Sequence, residues 1–148
     1  MFLLVLATAA SFDPLRFFDG RTEGVGILRI AFHHPRAVRV HGEGRPVRDG
    51  LALAQTVEQV GRAPTGRRWL LRPVGPGRYA GTLTDALGPV SAVAQGDRLH
   101  IAYRTKGRIA IEQWLTLAPD GRSARNRLTA RRFGIVVARL DETITRAD

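Results

Sequence analysis

The chain has 148 residues, 44% of them hydrophobic and 24% charged, with a formal net charge of +10. That is the size of one domain around one core, and the composition of a globular rather than a disordered chain. There is no cysteine, which excludes disulfides, thiol nucleophiles, cysteine-ligated zinc and iron–sulfur clusters.

Met1 to Ala10 form an apolar run ending in Ala7-Thr8-Ala9, the small-residue pattern of a secretory signal, although no basic residue precedes it. The segment reads as a signal remnant and points to the periplasm or cell envelope. The alternative is a strand or tail of the mature protein, in which case the chain is cytoplasmic. No run approaches the roughly 20 apolar residues of a membrane-spanning helix.

One helical turn is expected next, with Asp13 as N-cap, Pro14 at the first position and Gly20 ending the segment after Leu15, Phe17 and Phe18. Its aromatics suit the plug of a barrel end. From there the period is two. Strands are predicted over 25–30, 37–41, 51–60, 68–74, 79–84, 90–95, 99–105, 109–117, 123–131 and 135–145. They are separated by turn signals such as Asp49-Gly50, Gly75-Pro76-Gly77, Gly96-Asp97, Lys106-Gly107 and Asp120-Gly121. Leu99, Ile101 and Tyr103 share one face of their strand, with Arg98, His100 and Arg104 on the other. About ten sequential strands without crossover helices predict an all-β fold, an antiparallel up-and-down barrel whose closure removes exposed edges.

The motifs exclude more than they assign. Ser11, Ser91 and Ser123 are the only serines, and none lies in a Gly-x-Ser-x-Gly elbow. His33, His34, His41 and His100 lack metal-ligand spacing, so no metal and no cofactor are expected. Gly24-Val25-Gly26 lacks the third glycine of a dinucleotide fingerprint. Paired glycines in a strand read instead as a bend or a close backbone approach. Asp85 and Glu112 are the candidate carboxylate pair for glycoside chemistry, with a turn cap or salt bridge as the plainer reading. All but Lys106 of the 23 basic residues are arginine, and Arg125, Arg127 and Arg131 share one face of a predicted strand, with Arg139 on the next. Such a stripe suits an anionic membrane surface or a solvated wall; nucleic acid is disfavoured because no stacking aromatics accompany it.

The segments Phe12–Gly26, Arg67–Gly88 and Trp114–Gly134 carry a resemblance. Their pattern of Phe18, Gly20, Trp69, Tyr79, Gly81 and Asp85, continuing through Tyr103, Trp114, Asp120-Gly121, Asn126 and Phe133-Gly134, resembles a bacterial family of small exported proteins and lipoproteins known only as a domain of unknown function. The resemblance implies a lipocalin-like barrel over residues 11–148 and no assigned activity. Some members carry a lipid-anchored cysteine, a route this chain lacks.

The expectation is therefore a non-enzymatic, lipocalin-like protein of the cell envelope that holds a lipid or other small apolar or amphipathic ligand. Leu99, Ile101 and Tyr103 are expected to line its cavity with Trp69 or Trp114 close by, Phe17 or Phe18 closing one end, and Arg68 or Arg104 holding a head group at the mouth. A core filled by the same aromatics, with the basic outer face docking an anionic partner, is the rival.

Overall fold

The computed structural model describes residues 11–147; the Met1–Ala10 segment read as a signal remnant lies outside them. The described chain opens with a single helical turn, α1 (Pro14–Phe17), for the reasons its sequence supplies. Oδ1 of Asp13 accepts the Leu15 N–H at 3.0 Å, and Pro14 loses no hydrogen bond at the first position. The turn is anchored by burial rather than by length. Phe12, Phe17 and Phe18 are all buried, with ring centroids 5.5 Å apart for the first two and 4.9 Å for the last two. The Phe12 N–H donates to the Gly96 carbonyl at 2.8 Å, which fixes α1 across one end of the barrel.

Ten strands follow: β1 (Gly20–Ile30), β2 (Arg36–Val47), β3 (Gly50–Gln59), β4 (Thr65–Gly75), β5 (Arg78–Leu83), β6 (Val90–Gln95), β7 (Arg98–Thr105), β8 (Ile109–Leu117), β9 (Ser123–Arg132) and β10 (Ile135–Arg146). Each pairs antiparallel with its sequence neighbours, and β1 pairs with β10 from Thr22–Arg146 to Ile30–Ala138, so the up-and-down sheet closes as expected. Closure leaves no strand edge in the sheet.

Two strands are longer than their β-propensity suggests. β1 begins at Gly20, and β2 runs on through Gly42, Gly44 and Pro46. The reason lies inside the barrel. A Cβ at Gly42 would overlap Oγ1 of Thr22, and one at Gly44 would overlap the Phe18 carbonyl. These glycines let α1 and β1 approach β2 closely, although glycine in a strand normally reads as a break.

Alternation sorts the side chains. Along β7, Leu99, Ile101 and Tyr103 point inward and are buried. The core gathers on the β5–β8 side and under α1, where Leu83, Val90, Ala92, Leu99 and Leu115 meet the three phenylalanines. The connections 48–49, 76–77, 96–97 and 118–122 lie at the α1 end, and the other five lie at the opposite end.

Candidate functional site

The barrel is filled on one side and hollow on the other. A cavity of about 220 Å³ runs from Pro14 and Phe18 along the inner faces of β1–β4 and β7–β10. Its long walls are apolar: Leu28, Val40, Leu53, Val57, Leu71 and Leu140. Exposure rises along these walls away from α1. On β3, Leu51 and Leu53 are buried, whereas Gln55, Val57 and Gln59 are partly exposed; on β10, Ile144 is buried and Leu140 partly exposed. The cavity therefore opens at the end opposite the helix.

A polar cluster interrupts this apolar lining. Asn126 of β9 donates through Nδ2 to Oε1 of Glu142 on β10 at 2.9 Å and to Oε1 of Gln113 on β8 at 3.1 Å. Nε2 of Gln113 donates to the Tyr103 hydroxyl at 3.2 Å, and the Arg67 guanidinium on β4 donates to the same oxygen at 3.2 Å. Asn126 is 3% exposed and Glu142 7%. Three atoms of the cluster, Oδ1 of Asn126, Oε2 of Glu142 and Nε of Arg67, are buried and have no hydrogen-bond partner in the protein. Buried polar atoms are normally paired, so two acceptors and a donor without partners, on residues that line one cavity, single this cluster out as the candidate site. Burial pushes the Glu142 carboxyl above its ordinary range, against the opposing pull of the Asn126 bond and the Arg67 charge.

Space for this carboxyl comes from the opposite strand. A Cβ at Gly24 would overlap Oε2 of Glu142, and one at Gly26 would overlap the Asp141 carbonyl and crowd the Glu142 backbone. The Gly24-Val25-Gly26 pair is the close approach expected of it, and what approaches is Glu142.

Of the residues expected at the cavity, Trp69, Leu99 and Ile101 line it, and Phe18 closes its α1 end. Tyr103 stands beside it, its ring 5.7 Å from Trp69 in an edge-to-face pair and its hydroxyl in the polar cluster. The Trp69 Nε1–H donates to Oε1 of Gln55 at 2.7 Å.

Trp114, Arg68 and Arg104 are corrections: all three lie on the outer wall. Period two decides each case, because Gln113 and Leu115 face in around Trp114, Arg67 and Trp69 around Arg68, and Tyr103 beside Arg104. Trp114 packs under the Arg98 guanidinium, 4.3 Å from the ring centroid, and beside His100. Among the described residues, the arginine that lines the cavity is Arg67.

Glu142, Gln113, Gln55 and Arg67 escaped sequence reading as site residues. Their signal was a polar side chain on the inward phase of an otherwise apolar face, seen as Gln113 between Ile111 and Leu115, Asn126 between Ala124 and Leu128, and Glu142 between Leu140 and Ile144.

The outer wall carries the remaining candidates. Arg125 and Arg127 pair with Asp141 at 3.3 and 3.5 Å, and Arg131 with Glu112 at 3.8 Å, so the arginine stripe is interleaved with carboxylates. Asp85 lies in the exposed 84–89 connection and Glu112 on the outer wall, so neither reaches the cavity. No group of three or more metal-ligating side chains gathers among the described residues, and no helix of those residues is long and apolar enough to cross a membrane.

The fold has relatives of known structure. An S-type phycobiliprotein lyase, CPES, from Guillardia theta superposes with a TM-score of 0.71 at 9% identity over 90% of each chain. A protein of unknown function from the DUF3598 family of Nostoc punctiforme superposes with a TM-score of 0.61 at 9% identity. That match takes in 95% of this chain and 51% of the other. At such identity the likeness is one of fold, a lipocalin-like barrel. No curated protein matches the chain in sequence. Residues 5–146 match the profile of the DUF3833 family, and the chain belongs to that family of proteins of unknown function.

Proposed function

We propose that this chain is a binding protein for a small amphipathic molecule, held with its apolar body along the cavity walls and its polar end on the Asn126–Glu142–Arg67 cluster. The observation that carries the reading is the trio of buried, unpartnered polar atoms on residues that line a largely apolar cavity. An engineered apolar cavity of roughly 150 Å³ takes up benzene, so about 220 Å³ is ample for a small ligand. Two open acceptors and one open donor favour a neutral end that both donates and accepts, such as a hydroxyl or amide; a carboxylate end meets the Glu142 oxygen. The lining residues include no Ser, Thr, Cys, His or Lys, which supports binding over nucleophilic chemistry. That a structural relative is a phycobiliprotein lyase is compatible with a barrel of this kind serving a small molecule.

Titration with octanol and with octanoate, read by tryptophan fluorescence, tests the proposal. At about 0.8 kcal/mol per methylene, octanol is expected to bind with Kd on the order of 10–100 μM, and octanoate more weakly. Trp69→Phe should abolish the fluorescence change and Trp114→Phe should retain it. No saturable binding of either compound overturns the reading.

A further inference from the structure

Because the strands alternate in direction, the connections 31–35, 60–64, 84–89, 106–108 and 133–134 gather at the mouth of the barrel. Phe32, Val60, Leu87 and Phe133 stand in these connections and Ile135 begins the next strand. They are the five most exposed large hydrophobic side chains among the described residues, with Phe32 fully exposed and Phe133 68% exposed. Two of them are held out in conformations bulky side chains avoid, Phe32 at φ 65° and Phe133 at φ 50°. Phe32 is kept there by the Ala31 N–H donating to the Val137 carbonyl at 2.9 Å and the His33 N–H donating to the Ile30 carbonyl at 3.0 Å. Val137 lies in the irregularity between Val136 and Ala138 in the β9–β10 register, which turns its carbonyl toward the loop. Strain of this kind persists where the surrounding structure enforces it, and it clusters at functional surfaces.

Cations share this end of the barrel. Arg62, Lys106, Arg108 and Arg132 are exposed at the same end, and the Arg108 and Arg132 guanidiniums lie 5.7 and 5.4 Å from the Phe133 ring centroid. Asp85 is the one carboxylate in these five connections. Asp49, Asp97 and Asp120 lie in the connections at the far end, with Asp13 and Asp19 flanking α1.

The geometry points to the mouth of the barrel as a docking surface for an anionic lipid bilayer. Aromatic and aliphatic tips enter the boundary between head groups and acyl chains, the arginines and Lys106 meet lipid phosphates, and of the connection carboxylates only Asp85 shares that end. A protein partner or a second copy would be expected to cover a contiguous apolar patch, whereas these five side chains are spread over four connections, with Arg108 and Arg132 against Phe133. The surface stands independently of what the cavity holds; combined with the proposed function, it brings the cavity mouth to the membrane.

Flotation with vesicles of phosphatidylcholine alone and of phosphatidylcholine with phosphatidylglycerol tests the inference. The chain is expected to float with the anionic vesicles and to be released by salt. Lys106→Glu and Arg108→Glu should each weaken binding by roughly fivefold or more. Phe32→Asn with Phe133→Asn, which keeps a residue tolerant of positive φ at both tips, should weaken it by about tenfold or more. Val74→Ser on the outer wall should change nothing, and Glu142→Gln should float like the wild type, so cavity and docking surface are read separately. Failure to float with anionic vesicles, or flotation undiminished by the mouth variants, overturns the inference. So does a sedimentation mass showing that these residues join two copies instead.

Discussion

Gly26 on β1 stands directly across from Glu142 on β10, and the missing side chain of the first makes room for the second. Its neighbour on the same face, Gly24, serves the far end of that side chain, the carboxyl itself. The two glycines therefore differ in what a methyl would strike. At Gly26 it meets backbone, which cannot rotate away; at Gly24 it meets a carboxyl that can. Gly26→Ala is expected to destabilise the fold by about 2–3 kcal/mol in urea denaturation, and Gly24→Ala by about 1 kcal/mol or less. Gly24→Ala should also impair ligand binding, because the displaced carboxyl moves into the cavity. Equal costs for the two variants would contradict this account.

The buried carboxyl should also shape stability against pH. The folded protein holds Glu142 protonated to a higher pH than the unfolded chain does, since burial penalises the charged form. Between the two ranges the native state therefore binds more protons, and stability falls as pH rises through them. Glu142→Gln removes this term. The variant should melt a few degrees above the wild type at neutral pH, at about 4 °C per kcal/mol for a domain of this size, and the gain should vanish below the ordinary carboxyl range. A gain that persists unchanged at low pH would mean that burial of the charge is not its source.

Tyr103 joins the two sides of the barrel through one oxygen, which accepts from Gln113 and from Arg67. Tyr103→Phe keeps the ring against Trp69 but leaves two buried donors without that acceptor. A loss of about 1–3 kcal/mol is expected from chemical denaturation. Gln113→Leu combined with Tyr103→Phe should cost less than the sum of the two single changes, because one unpaired donor is removed along with its acceptor.

On the outer wall, Nδ1 of His41 lies 2.6 Å from Oε2 of Glu23 and its Nε2 3.5 Å from Oε1 of Glu58. The bond and charge of Glu23 hold the imidazolium above the ordinary histidine range, with a smaller push from Glu58. This contribution to stability is present while the ring is charged and is lost as pH rises through the folded value. In a proton NMR titration, Glu23→Gln should bring the His41 midpoint down markedly, and Glu58→Gln should bring it down less.

Much of the fold is dictated locally, and the sequence carries it. Asp13 and Pro14 make the single helical turn, Asp49-Gly50 and Gly96-Asp97 make hairpins, and Leu99, Ile101 and Tyr103 alternate on a face that can only be buried. Each of these depends on neighbours within a few residues. What tertiary structure decided is everything that depends on register between strands and on closure. The pairing of β1 with β10 sets Gly26 against Glu142 across more than a hundred residues. The stacking of β8, β9 and β10 lines Gln113, Asn126 and Glu142 into one cluster, though each alone is merely a polar residue on an apolar face. Trp114 shows the same limit from the other direction. Its bulk suggests a cavity wall, but the phase of β8 gives the interior to Gln113 and Leu115 and leaves the indole outside with Arg98. Which end is open was likewise settled only when Phe12 bonded to Gly96 and carried α1 across the other end, because side-chain period is a property of one strand and says nothing of what its ends meet.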